Sequence, residues 1–122
     1  MSNVTVQSVV YQIDGQPYES RLVFAEGAQG APGLVMAPNW MGISEDAEQI
    51  AKQVASQGYV VLLADLYGQS VRPTNADQAV AAMGPLKNDR KLLNKRMQAA
   101  LDQLSTQSVA AVDQGRLAAF GF

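Results

Sequence analysis

Two short apolar runs, Gly33–Ala37 and Tyr59–Ala64, bracket one amphipathic stretch, and this arrangement constrains the fold more than any other feature. Neither run alternates polar with apolar residues, which is the pattern of a strand covered on both faces. Between them Ser44 stands as a helix N-cap, with Glu45, Asp46 and Glu48 at the positive end of the helix dipole. Ala47, Ile50, Ala51, Val54 and Ala55 recur at helical spacing, and Gly58 is placed to stop the helix. A strand, a helix and a strand of these lengths form a βαβ unit, with parallel strands and a right-handed crossover. The prediction is an α/β fold, a three-layer sandwich around a mostly parallel sheet.

The flanking segments extend that sheet. Val4–Ile13 is rich in β-branched residues, and Asp14-Gly15 is a two-residue hairpin turn, so an antiparallel hairpin with Tyr18–Phe24 is expected at the amino terminus. Pro17 suits the start of a strand, and a break in alternation near Ser8-Val9 predicts a bulge. Thr74 or Asn75 caps a short helix carrying Ala76, Ala79, Val80 and Met83, closed by Gly84-Pro85. A longer helix runs from about Asn88 to Leu104, with Leu93, Met97, Ala100, Leu101 and Leu104 as its apolar stripe. Asp113-Gln114-Gly115 reads as a turn and Leu117–Phe120 as a third apolar strand, after which the chain ends at Gly121-Phe122. A central parallel strand needs neighbours and covering helices, so residues 1–122 read as the amino-terminal part of a single domain, cut before its next turn.

Composition removes several chemistries. The 122 residues contain no histidine and no cysteine. Disulfides, thiolate nucleophiles, nearly all zinc sites and a complete Ser-His-Asp or Cys-His triad are therefore excluded within them. A net charge of −2 argues against a nucleic-acid partner. Lys87, Arg90, Lys91, Lys95 and Arg96 do crowd one segment, which reads either as an anion contact or as the solvated face of the long helix; without interleaved aromatics the second is favoured. Tyr59–Ala64 is too short to span a membrane, and the first residues show no basic and apolar leader, so a cytoplasmic protein without a membrane partner is expected. Gly27, Gly30 and Gly33 precede a strand, whereas a phosphate-cradling loop follows one; no cofactor and no metal is expected.

Two segments remain for chemistry. Pro38-Asn39-Trp40-Met41-Gly42 leaves the end of an apolar strand, where ligands of open α/β sheets sit. A backbone N–H there suits an oxyanion, because a fixed dipole in a dry site needs little reorganisation. The same residues fit a plain connection with Trp40 packed on the core. Asp65, at the end of the next strand, fits either a general base or an Asx-turn that binds nearby backbone N–H groups.

Taken as a string, Gly33-Leu34-Val35-Met36-Ala37-Pro38-Asn39-Trp40-Met41-Gly42, a helix, and then Gly58-Tyr59-Val60-Val61-Leu62-Leu63-Ala64-Asp65-Leu66-Tyr67-Gly68 resembles the dienelactone hydrolase family of α/β-hydrolases. Met83-Gly84-Pro85-Leu86 and Asp113 to Phe122 fit the same pattern, over the first half of the family's domain. The resemblance implies a partial α/β-hydrolase fold, strand order 1-2-4-3-5, and hydrolysis of a small carboxylic ester or lactone. It implies that the nucleophile, usually a cysteine, and the histidine lie beyond Phe122, so the 122 residues alone are inactive. It places Trp40 as the catalytic residue whose backbone N–H helps form the oxyanion hole, with Asn39 and Met41 as substrate-binding neighbours. Asn39 stands where well-known members carry a glutamate that contacts the resting nucleophile, and Asp65 falls on a segment that is structural in the family. Two other readings stand beside it: a non-catalytic flavodoxin-like binding module, which needs no missing residues, and a half-domain completed by a separate chain or a homodimer partner.

Overall fold

The computed structural model describes residues 4–27, 30–107 and 112–121. Phe122 and part of the loop before the third strand lie outside the described residues. The elements follow in the order β1 (Val4–Ile13), β2 (Gln16–Ala25), β3 (Ala31–Ala37), α1 (Glu45–Ala55), β4 (Val60–Leu63), α2 (Ala76–Lys87), α3 (Arg90–Thr106) and β5 (Val112–Gly121). The strands form one five-stranded sheet in the order β1-β2-β4-β3-β5. β3 runs parallel to β4 and to β5, while β2 is antiparallel to β1 and β4. This is the expected order and the expected three-layer α/β architecture. No helix among the described residues is long and apolar enough to cross a membrane.

The βαβ unit explains the layers. Val60, Val61, Leu62 and Leu63 of β4 are all fully buried, so both faces of this strand are covered. Val61 and Leu63 join Val23, Met36 and the α1 residues Ala47, Ala51 and Ala55 in one cluster. Val60 and Leu62 join Leu22, Val35, Leu86, Ala100 and Leu104 on the opposite face, under α3 and the end of α2. Burying a side chain of this size stabilises by about 1.5–3 kcal/mol. Ser44 caps α1, accepting from the Ala47 N–H at 3.2 Å. The buried stripe of α1 is narrower than the sequence suggests: Ile50 stays exposed, because three alanines at strict four-residue spacing let the helix lie close to the sheet.

Four local expectations change. Pairing of β1 with β2 is regular from Val4 opposite Ala25 to Ile13 opposite Gln16, so there is no bulge at Ser8-Val9. The alternation breaks because the covered face changes along this twisted strand. Val4 and Val6 pack on the α1 side, whereas Val9, Tyr11 and Ile13 pack on the other. The turn between the strands is as expected, with Asp14 at φ 52° and Gly15 at φ 82°, the left-handed values a tight hairpin requires.

Helix α2 does not stop at Gly84-Pro85 but continues to Lys87. Pro85 removes one helical donor, and the Ala81 carbonyl it would have served belongs to an exposed residue that water reaches. Val80 faces solvent rather than the core. The turn at Asp113–Gly115 lies inside β5 rather than before it: the register jumps between Ala31 opposite Val112 and Gly33 opposite Leu117. Asp113 accepts from the Gly115 N–H at 2.9 Å across that irregularity.

Candidate functional site

β3 and β4 run side by side in the same direction, so the loops leaving Ala37 and Leu63 emerge at one edge of the sheet. The first loop is a tight turn closed by its own groups. The Asn39 carbonyl accepts from the Gly42 N–H at 2.9 Å, and the Asn39 side-chain oxygen accepts from the Met41 N–H at 3.0 Å. Gly42 takes φ 71°, a left-handed value that favours glycine. A Cβ there would also stand 3.0 Å from the Tyr67 ring. Among the described residues nothing accepts a hydrogen bond from the Trp40 N–H. The Trp40 side chain is 43% exposed, so it does not pack on the core as a plain connection would have it.

The second loop is built around Asp65, whose side chain is 1% exposed. Its Oδ1 accepts from the N–H groups of Tyr67 at 3.1 Å and Gly68 at 2.9 Å, and its Oδ2 from the Glu19 N–H at 2.9 Å. Arg72 Nη1 lies 3.3 Å from Oδ1. With its lone pairs committed in this way, Asp65 is an Asx-turn that fastens the loop to β2, and not a free base. Ser20, a buried hydroxyl in the middle of β2, accepts from the Asp65 N–H at 2.9 Å and bonds the Tyr11 hydroxyl at 2.7 Å.

Tyr67 joins the two loops: its hydroxyl donates to the Trp40 carbonyl at 2.8 Å. Burial pushes the Tyr67 phenol above its ordinary range, so it holds its proton at neutral pH. Beside this contact lies a cavity of about 340 Å³ lined mainly by apolar groups, among them Pro38, Trp40, Tyr67, Met83, Leu86 and Leu93. Asn39 and Lys87 also line it. Met41, expected to contact substrate, does not line it; its backbone N–H is bonded to the Asn39 side chain within the turn.

The basic segment is not one patch. Lys95 reaches across to the hairpin turn and pairs with Asp14 at 2.6 Å. Arg96 turns inward, donating to the Leu66 carbonyl at 2.7 Å and lying 5.4 Å from the centre of the Tyr18 ring. Among the described residues no cluster of acidic side chains offers a metal cage.

Residues 19–122 match the dienelactone hydrolase family, which is most of the chain. The chain belongs to the dienelactone hydrolase family. Two solved structures share its fold closely. A protein designated m3DLH is 31% identical, with a TM-score of 0.87 over 98% of this chain and 49% of its own. A dienelactone hydrolase-like promiscuous phosphotriesterase from metagenomic libraries is 30% identical, with a TM-score of 0.87 and the same coverage. A dienelactone hydrolase of Klebsiella pneumoniae, 15% identical with a TM-score of 0.70 over 98% of this chain and 50% of its own, shares the fold. The chain thus spans about half the length of the structures it resembles. No curated protein matches the sequence significantly. The matching family and the phosphotriesterase neighbour are hydrolases by name, and the fold is theirs rather than a flavodoxin's.

Within this family member, sequence reasoning brought Asn39, Trp40, Met41 and Asp65 to one edge, where the structure also places them. It missed Tyr67, Ser20, Arg72 and Arg96. A tyrosine two residues after a strand-end aspartate, facing a loop 27 residues away, carries no local signal beyond its place in Asp65-Leu66-Tyr67-Gly68.

Proposed function

We propose that these residues form the amino-terminal half of a cytoplasmic enzyme that hydrolyses a small carboxylic ester or lactone, its nucleophile and histidine following Phe122. The observation that carries the proposal is the uncommitted Trp40 N–H, in a turn where the Met41 and Gly42 N–H groups and the Asn39 and Trp40 carbonyls are bonded, beside an apolar cavity at the carboxyl edge of the parallel strands. As a nucleophile adds to the substrate carbonyl, negative charge grows on its oxygen. A fixed N–H directed at that oxygen stabilises the tetrahedral intermediate more than the ester itself, and so lowers the barrier. Asn39 and Met41 shape the turn that presents this donor, and Asn39 lines the substrate cavity. Similarity to a promiscuous phosphotriesterase at 30% identity favours a second substrate class, since the same donor suits an oxyanion on phosphorus.

The test is hydrolysis of p-nitrophenyl acetate and of a p-nitrophenyl phosphotriester by the complete protein and by the 122-residue polypeptide. Saturable ester hydrolysis by the complete protein, abolished when its nucleophile is replaced, is the expected result. The short polypeptide releases no more nitrophenol than buffer. Saturable hydrolysis by the short polypeptide would overturn the assignment of the nucleophile, and an inert complete protein would overturn the enzyme. Activity of the short polypeptide only when mixed with a separate second half would point instead to a domain completed by a partner chain.

A further inference from the structure

We propose that Tyr67 is the positioning residue of the oxyanion-binding turn: by holding the Trp40 carbonyl it sets the direction in which the Trp40 N–H points. The inference rests on the proposed hydrolase function and assigns a task within it. Two peptide units meet at Trp40. In the first, the Asn39 carbonyl is bonded to Gly42 and the Trp40 N–H is uncommitted. In the second, the Met41 N–H is bonded to the Asn39 side chain and the Trp40 carbonyl to the Tyr67 hydroxyl.

The bonds from Gly42 and Met41 are internal to the turn. They fix its shape but do not tie it to the loop that follows β4. The bond from Tyr67 comes from the other loop, so it fixes the orientation of the turn against the sheet. Tyr67 is itself anchored, because its own N–H is bonded to the buried Asp65 carboxylate at 3.1 Å. Its ring lies against Gly42, which has no Cβ to push it away. Its proton remains in place through the range where esterases are assayed, since burial raises the phenol above its ordinary value. An oxyanion donor is sensitive to such a constraint, because its benefit depends on alignment that costs no reorganisation during the reaction.

The complete enzyme carrying Tyr67→Phe isolates the hydroxyl, as the ring that packs on Gly42 is kept. Two quantities are read on folded, active-site-titrated enzyme: kcat and KM for p-nitrophenyl acetate, and the inhibition constant of a trifluoromethyl ketone, whose adduct carries the oxyanion. Loss of one such hydrogen bond lowers kcat by roughly 3- to 15-fold. KM stays within about twofold, and the ketone binds more weakly by the same factor as kcat/KM falls. A second variant, Tyr67→difluorotyrosine, makes the phenol more acidic; kcat then declines on the alkaline side, where the wild type does not, as the donor is lost.

A merely structural tyrosine would lower the titrated active fraction and leave kcat per site, the ketone constant and the pH profile unchanged; that result overturns the inference and leaves the hydrolase intact. A drop in kcat with no change in ketone affinity also overturns it. If the wild type neither cleaves the ester nor binds the ketone, the hydrolase reading falls, and the assignment of Tyr67 falls with it.

Discussion

Replacing Asp65 separates a structural carboxylate from a catalytic one. The side chain is buried and accepts three backbone N–H bonds, from Glu19 at Oδ2 and from Tyr67 and Gly68 at Oδ1, with Arg72 close to Oδ1. Asp65→Ala leaves three donors without acceptors and a half-buried guanidinium without its carboxylate. Each bond to a charged acceptor contributes about 1.5–3 kcal/mol, but the freed loop reaches water on one side. A loss of about 3–5 kcal/mol is therefore expected, as for a broken buried pair. Asp65→Asn keeps an oxygen for Tyr67 and Gly68 but turns an NH2 group toward the Glu19 N–H, donor against donor, and removes the charge facing Arg72. Its loss is smaller, about 2–3 kcal/mol.

The assay is thermal unfolding of the complete enzyme, with kcat measured per titrated active site. For a domain of about 150–250 residues each kcal/mol moves the midpoint by roughly 2–4 °C, so Asp65→Ala lowers it by about 6–20 °C and Asp65→Asn by less. The kcat of Asp65→Asn stays within about tenfold of the wild type, since the proposed reaction routes no step through this carboxylate. Two results would refute the reasoning. The first is an Asp65→Asn protein as stable as the wild type. The second is a fully folded variant whose kcat falls by several orders of magnitude, which is how a general base behaves.

Further outcomes follow from neighbouring contacts. Hydrogen bonding from Arg21, then from Gln69, holds the Glu19 carboxyl below its ordinary value, so its contribution is complete above the ordinary glutamate range and is lost as pH falls through the lowered value. Glu19→Gln therefore costs at most about 1 kcal/mol at neutral pH, and its gap from wild type in urea unfolding closes on acidification. Gly42→Ala places a Cβ at φ 71° and 3.0 Å from the Tyr67 ring. It lowers stability by about 1–2 kcal/mol and kcat more than Ser44→Ala, a helix-cap change of similar cost away from the turn. In a double-mutant cycle on kcat, Asp65→Asn and Tyr67→Phe couple by about 0.5–3 kcal/mol, because the first loosens the anchor of the second, whereas Ser44→Ala adds independently to either.

The parts of the fold legible in the sequence are those written in adjacent residues. Gly33–Ala37 and Tyr59–Ala64 declare two buried strands, Asp14-Gly15 declares a hairpin, and Ser44 with three acidic neighbours declares a helix start. What misled was local pattern read without its surroundings. The broken alternation at Ser8-Val9 records a change of covered face, which depends on where α1 and α3 lie. Gly84-Pro85 looks like a stop, yet the helix passes through because its unserved carbonyl faces water. Of the site, the turn at Asn39–Gly42 was visible from its place after a strand. The bond from Tyr67 to Trp40 was not, because it joins residues 27 apart that only the parallel pairing of β3 and β4 brings together.

That pairing also explains why buried polar groups concentrate here. Tyr11, Ser20, Asp65, Tyr67 and Trp40 form a continuous series of hydrogen bonds from the outer hairpin to the turn at the end of β3. Apolar residues at Ser20 and Asp65 would serve a core alone at least as well, since a buried carboxylate carries a desolvation penalty that its bonds must offset. What apolar packing cannot supply is direction. Leucine in place of Asp65 fills space but leaves the Tyr67 and Gly68 N–H groups without their acceptor, and so loosens the hydroxyl that reaches Trp40. A donor aimed at a developing charge needs those planes fixed. On the proposed function, the series contributes orientation where stability alone would favour hydrocarbon, at the edge of the sheet where both strand-end loops emerge.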